Sequence, residues 1–284
     1  MNSKYKGIII LAIIVILAFL LINPGTDYER IDIVGSTSVQ PLAEKLAENY
    51  MKSHEGVRIY VQGGGSGMGI RSTDQDLADI GMSSKELSLE EKKNITEVPI
   101  GKEGIVIAVS NQNNISKLSI EQIRDIFNGK ITNWKELGGK PGEINVITRE
   151  EGSGTRSAFE SIVMDDTKIK NSAVVQSSTE SVKQSVASDP NAIGFVSFAH
   201  MSDDVKAISV NGTSPSEETI YNGDYPLQRP FLFLIKGTPT GEVKNFIEWI
   251  KSPAGIEIIK EDKIIPIWCD MFTNYEYLLI SKII

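Results

Sequence analysis

Three short Gly/Ser/Thr clusters stand directly ahead of segments with helical periodicity: Gly35-Ser36-Thr37-Ser38, Gly63-Gly64-Gly65-Ser66-Gly67 and Gly152-Ser153-Gly154-Thr155. Arg149 lies just before the third. A helix start presents up to four backbone N–H groups with no partner inside the helix, together with the positive end of the macrodipole. Glycine lets a ligand approach that backbone, and hydroxyls add donors that turn easily. Any one cluster is more often a loop followed by an N-cap. Three of them beside one arginine describe a pocket of hydrogen-bond donors suited to a small tetrahedral anion. Two clusters come early and the third begins 85 residues after Gly67, so an anion held by all three sits between two halves of the molecule. That is the cleft at the carboxyl ends of strands where open α/β sheets bind ligands.

The elements that must position these clusters follow from the apolar pattern. Ile31 to Val34 reads as a first strand after a short linker over Asp27 to Arg30, and the helix after Ser38 carries Pro41 in its first turn, with Leu42, Leu46 and Tyr50 on one stripe. Arg58 to Val61 is the next strand, Ile70, Leu77 and Ala78 mark a helix, and Asp79 to Met82 is a short buried strand ending at Ser83-Ser84. Gly104 to Ser110 is a β-branched run typical of a strand covered on both faces. Ser119 opens a helix that ends at Asn128-Gly129. Ile144 to Thr148 is a strand that delivers Arg149, and Ser153 or Thr155 opens a helix with Phe159, Ile162 and Val163 inward. Thr179 to Ala187 reads as helix, and Ala192 to Phe198, Lys206 to Val210 and part of Pro226 to Ile235 as strands. Gly241 to Ile250 closes the series as a helix. This alternation predicts α/β layers.

Composition narrows the function. The chain has 284 residues, 40% hydrophobic and 23% charged, enough for two compact domains. A formal net charge of −8 argues against nucleic acid as a partner, because phosphate-backbone binders carry a basic face. A single cysteine, Cys269, excludes an internal disulfide, and two histidines, His54 and His200, without metal-ligand spacing argue against a zinc site. Ser66 and Ser153 lack the flanking glycines of a nucleophile elbow, and no phosphate-binding P-loop or dinucleotide fingerprint is present. His200 could act as a general base, but nothing ties it to a nucleophile, so no catalytic residue is assigned.

Lys4 and Lys6 precede an unbroken apolar run from Gly7 to Ile22. As a helix its 16 residues span about 24 Å, short for a membrane core but workable with snorkelling flanks. No small-residue cleavage site follows, which favours an uncleaved anchor over a cleaved signal peptide; either exports the remainder. The segment from Trp268 to Ile284 is apolar and aromatic and has no assigned role.

Several motifs carry a family resemblance. Gly35-Ser-Thr-Ser-Val-Gln-Pro41, Gln62-Gly-Gly-Gly-Ser-Gly67, Asp79-Ile-Gly-Met-Ser-Ser84, Ile126-Phe-Asn-Gly-Lys-Ile-Thr-Asn-Trp134 and Arg149-Glu-Glu-Gly-Ser-Gly-Thr155 resemble the substrate-binding proteins of phosphate ABC transporters (PstS type), in order, from about Ile31 to Ile267. The resemblance implies an α/β, two-lobed periplasmic-binding-protein fold of type II that closes on inorganic phosphate and delivers it to permease subunits. It implies anion contacts from Thr37, Ser38, Ser66 and Ser84 in lobe one and from Arg149, Ser153, Gly154 and Thr155 in lobe two. Lobe one is expected to comprise residues 28–107 and 231–267 and lobe two residues 108–230, between an N-terminal segment 1–27 and a tail 268–284. No cofactor is implied, and the expected state is an extracytoplasmic monomer tethered through the N-terminal apolar segment. One departure stands out: better-studied members have an aspartate where this chain has Ser84. That aspartate accepts the proton of hydrogen phosphate and so helps reject sulfate. Sulfate, molybdate or tungstate on the same fold is therefore the nearer alternative, and a phosphate-ester hydrolase or signalling module the farther one.

Overall fold

A computed structural model describes residues 28–268. The apolar run from Gly7 to Ile22 and the tail beyond Trp268 lie outside the described residues, and among the described residues no helix is long and apolar enough to cross a membrane. The first part of the chain alternates strand and helix: β1 (Glu29–Gly35), α1 (Gln40–Ser53), β2 (Val57–Gly63), α2 (Ser66–Asp74) and β3 (Ile80–Ser83). The long strand β4 (Ile95–Ser110) follows, then β5 (Lys117–Leu118) and α3 (Ile120–Phe127). Next come β6 (Asn145–Arg149), α4 (Gly154–Phe159) with a π-helical extension Glu160–Met164, β7 (Val174–Gln176), α5 (Thr179–Ser188) and β8 (Ala192–Ser197). The chain then forms β9 (Val205–Ala207), β10 (Ser209–Val210), α6 (Glu217–Tyr221), β11 (Gln228–Lys236), α7 (Gly241–Ile250) and α8 (Pro253–Glu261).

One nine-stranded sheet runs in the order β2-β1-β3-β11-β4-β8-β6-β7, with β9 also on β4, and β10 pairs with β5 separately. β1, β2 and β3 are parallel, as are β6, β7 and β8, whereas β4 and β11 run antiparallel to their neighbours. The two largest of four apolar clusters among the described residues form the main cores. Ile31, Ile33, Leu46, Tyr50, Phe233 and Phe246 belong to one, and Trp268 packs against it beneath Lys251 Nζ, 5.5 Å from its ring centroid. Phe127, Phe159 and Phe195 anchor the other, with ring centroids 4.6 and 4.3 Å apart in succession. Each such fully buried side chain contributes about 1.5–3 kcal/mol of transfer free energy. The molecule is two-lobed, and β4 exchanges β11, its partner as far as Gly104, for β8, its partner from Ile105.

Some helix starts carry side-chain caps, whereas α1, α2 and α7 begin at Val39, Gly65 and Thr240 without one. Pro41 occupies the first turn of α1, and Ser119 and Gln122 form a reciprocal capping box on α3. Four readings from the sequence are corrected. Leu77 and Ala78 are not helical: α2 stops at Asp74, Asp76 turns into the left-handed region (φ 55°), and the Leu77 amide bonds back to Ser72 O, leaving Leu77 exposed. The strand read from Gly104 begins at Ile95, where Pro99 and charged residues conceal the pattern and β11 supplies the pairing. Lys206 to Val210 divides between β9 and β10, which belong to different sheets. Residues 29 and 30 of the expected linker already pair with β2.

Candidate functional site

The parallel strands deliver all the candidate residues at one end of the sheet. Ser36, Thr37 and Ser38 follow β1, Gly65 and Ser66 follow β2, and Ser84 follows β3. Arg149 ends β6, with Ser153, Gly154 and Thr155 next in the chain, and Thr179 opens α5 just past β7. Backbone geometry requires glycine at the entry to α2: Gly65 has φ +84°, and a Cβ there would come within 2.8 Å of Gly152 O on the opposite lobe.

The two sets of loops meet across the cleft. Ser38 Oγ lies 2.8 Å from Thr155 Oγ1 and 3.0 Å from Thr179 Oγ1. Thr37 Oγ1 is 3.5 Å from Thr179 Oγ1, and the Gly67 amide donates to Gly152 O at 3.0 Å. On the lobe-one side Ser36 Oγ donates to Ser84 Oγ at 2.8 Å, while Ser66 Oγ accepts the Ser84 amide at 3.0 Å. Ser66, Ser84 and Arg149 are at most 1% exposed. Ser153 accepts the Arg156 amide as cap of α4, so its own hydroxyl proton remains available for the cleft.

Arg149 is held side-on. Its Nε donates to Glu150 Oε2 at 2.9 Å, its Nη2 to Glu150 Oε1 at 2.8 Å, and its Nη1 to Thr179 Oγ1 at 3.0 Å. A guanidinium has five N–H donors. The three named contacts leave one hydrogen on each Nη without a named partner, two charged donors to offer an oxyanion. Arg156 fixes the backbone beneath, donating from Nη1 to Arg149 O at 3.0 Å.

All eight residues singled out in the sequence, Thr37, Ser38, Ser66, Ser84, Arg149, Ser153, Gly154 and Thr155, thus lie along this one seam. Sequence reasoning placed Ser36 in the first cluster without assigning it a contact, and it missed the roles of Glu150 and Thr179. Thr179 had a signal: Ser177-Ser178-Thr179 is a fourth hydroxyl-rich cluster ahead of a helical segment. Glu150 had none, because an acidic neighbour of an anion site reads as repulsive until its grip on the arginine is visible. His200 lies in the short turn Phe198–His200 after β8. Burial, and next the field of Arg229, push its imidazole down to about 4, and its Nδ1 is buried without a hydrogen-bond partner.

Comparison with known proteins agrees with this architecture. The profile of the PBP superfamily domain matches residues 23–254. The phosphate-binding protein PstS of Bacillus subtilis is 34% identical over 226 residues, covering 78% of this chain and 74% of that protein. Among solved structures, a phosphate ABC transporter substrate-binding protein with bound phosphate from Clostridium perfringens superposes with a TM-score of 0.81 at 37% identity, covering 84% of this chain and 100% of that one. An ABC-type phosphate transport receptor from Vibrio cholerae gives a TM-score of 0.71 at 36% identity, over 83% and 99% of the two chains. With hydroxyl-rich loops of two lobes meeting around a gripped arginine, and with these relatives, the chain belongs to the PBP superfamily and, within it, to the PstS-type substrate-binding proteins of phosphate ABC transporters.

Proposed function

We propose that this protein captures inorganic phosphate by closing its two lobes and hands the anion to the permease subunits of an ABC importer. The observation that carries the reading is the buried Arg149, with Nη hydrogens to spare and Nη1 on Thr179 Oγ1, at a seam of hydroxyls and helix-start amides contributed by both lobes. Thr37, Ser38, Ser66 and Ser84 bind from one side; Arg149, Ser153, Gly154 and Thr155 bind from the other. Only the shut arrangement lets both donor sets reach one anion, so closure follows from differential affinity of the ligand for the two states. The division into 28–107 with 231–267 and 108–230 runs within a few residues of the place where β4 changes partner. The protein acts extracytoplasmically as a monomer, and the Gly7–Ile22 run tethers it to the membrane.

The chemistry at Ser84 favours a second reading as an outcome to be measured: a wider oxyanion specificity. Its hydroxyl accepts from Ser36 and can itself donate, which suits sulfate as well as phosphate. Calorimetric titration of the full chain with phosphate and sulfate at two pH values tests both readings. Phosphate heats that depend on pH around the second phosphate pKa, with weaker sulfate binding, support the proposal; tighter sulfate binding overturns it. Ser84→Asp is expected to abolish sulfate binding while keeping phosphate, because a carboxylate can only accept and sulfate has no proton to give. Competition titration of the variant reads this directly.

A further inference from the structure

One carboxylate outside the anion seam ties together the chain segments that pass between the lobes. Glu103 lies on β4 immediately before Gly104, the last residue paired with β11. Its side chain is fully buried. Oε1 accepts from Arg229 Nε at 2.8 Å and from Arg229 Nη2 at 2.5 Å, across the ladder pair that Glu103 and Arg229 form between β4 and β11. Oε2 accepts the Ser197 hydroxyl and, at 3.4 Å, the Ala199 amide. Ser197 ends β8 opposite Ile105, on the far side of Gly104.

The two oxygens therefore serve different bodies. Glu103 and Arg229 sit on the same side of the pivot, so a rotation about Gly104 leaves the Oε1 fork intact. The same rotation carries β8 with it, so the separation of Ser197 and Ala199 from Oε2 depends on the angle between the lobes. A buried carboxylate is tolerated only when its lone pairs are occupied, so losing the Oε2 partners is unfavourable. Arg229 Nη1 is itself buried without a hydrogen-bond partner, so the pair is already incompletely satisfied. His200, next to Ala199 in the turn after β8, is held neutral and brings no rival charge.

We propose that Glu103 is a positioning residue for lobe closure: by holding Ser197 and Ala199 through Oε2, it biases the hinge toward the arrangement that brings the two donor sets together, without touching the anion. The affinity arm of the test rests on the phosphate reading above; the distance arm does not. Spin labels at Leu89→Cys and Val174→Cys, both exposed positions, in a Cys269→Ser background report the interlobe distance of the full-length protein without added anion. Ser197→Ala is expected to shift that distribution toward longer distances. It is also expected to raise the Kd for inorganic phosphate about tenfold, through faster release, the equivalent of one charge-assisted bond. Ser119→Ala removes a helix cap in lobe two away from the hinge and controls for general destabilisation. It should lower the melting temperature and leave the distances alone. An unchanged distance distribution in Ser197→Ala overturns the proposal, as does an equal shift in Ser119→Ala. A parent protein that binds no phosphate overturns the phosphate reading instead, while the distances still decide the role of Glu103.

Discussion

Arg149→Ala is expected to weaken phosphate binding at least a hundredfold, far more than Thr155→Ala. The substitution removes two free N–H donors on one charged group, and charge-assisted hydrogen bonds are worth about 1.5–3 kcal/mol each. Every 1.4 kcal/mol is roughly tenfold in affinity, so two such bonds correspond to about two to four decades. A second effect adds to the first. Glu150 now grips the guanidinium through both oxygens; with alanine at 149 its carboxylate stands unpaired beside the incoming anion and repels it. Thr155 supplies a single neutral hydroxyl that also has Ser38 as partner, and its loss should cost about tenfold or less. Arg149→Lys keeps the charge but not the fork and should fall between the two. Calorimetry on the three variants orders them, and comparable losses for Arg149→Ala and Thr155→Ala would remove the arginine from its central role.

Gly154→Ala is expected to abolish binding at ordinary phosphate concentrations while leaving the fold as stable as before or slightly more so. A Cβ on Gly154 would come within 2.1 Å of Ser66 Oγ and 2.8 Å of Ser84 Oγ, both on the opposite lobe. Relieving that clash means parting the lobes by roughly 1 Å, enough to forfeit much of each contact across the seam. Ser38 and Thr155, now 2.8 Å apart, would no longer converge. Within its own lobe the substitution is benign, because Gly154 is the first residue of α4 in ordinary helical conformation and alanine is the better helix former. Gly152→Ala, where a Cβ meets nothing within 4 Å, is the matched control. Thermal unfolding and phosphate titration of the pair separate the effects. If Gly154→Ala binds within threefold of the parent, the seam does not close in the way described.

Much of this site could be read before any coordinates, for a definite reason. Glycine and hydroxyl residues at the ends of strands are constrained by backbone geometry, which leaves a local mark: Gly65 needs its positive φ, and Ser153 and Ser119 cap the helices they precede. Helices with a clear apolar stripe, such as α1 and α7, were legible for the same reason. What stayed hidden is set by contacts remote in sequence. β4 extends back to Ile95 because β11, more than a hundred residues later, offers a ladder that Pro99 and the charges of Glu97, Lys102 and Glu103 disguise. Leu77 carries the apolar character of a buried position yet is exposed, since the turn at Asp76 takes it off the helix. Glu150 declares its role only when its oxygens are seen against Arg149.

The grip of Glu150 on Arg149 has a consequence for the conditions under which such a site works. Arginine and glutamate together contribute no net charge, on a chain whose own formal charge is −8. This pair therefore adds little long-range attraction for an incoming anion, and recognition by it falls to donors that act at contact. Dissolved salt screens interactions between exposed charges beyond about 8 Å at physiological ionic strength, but it has little purchase on bonds made inside a shut cleft. The phosphate affinity of this protein is therefore expected to change little between dilute and saline solution, which titration at two salt concentrations reads.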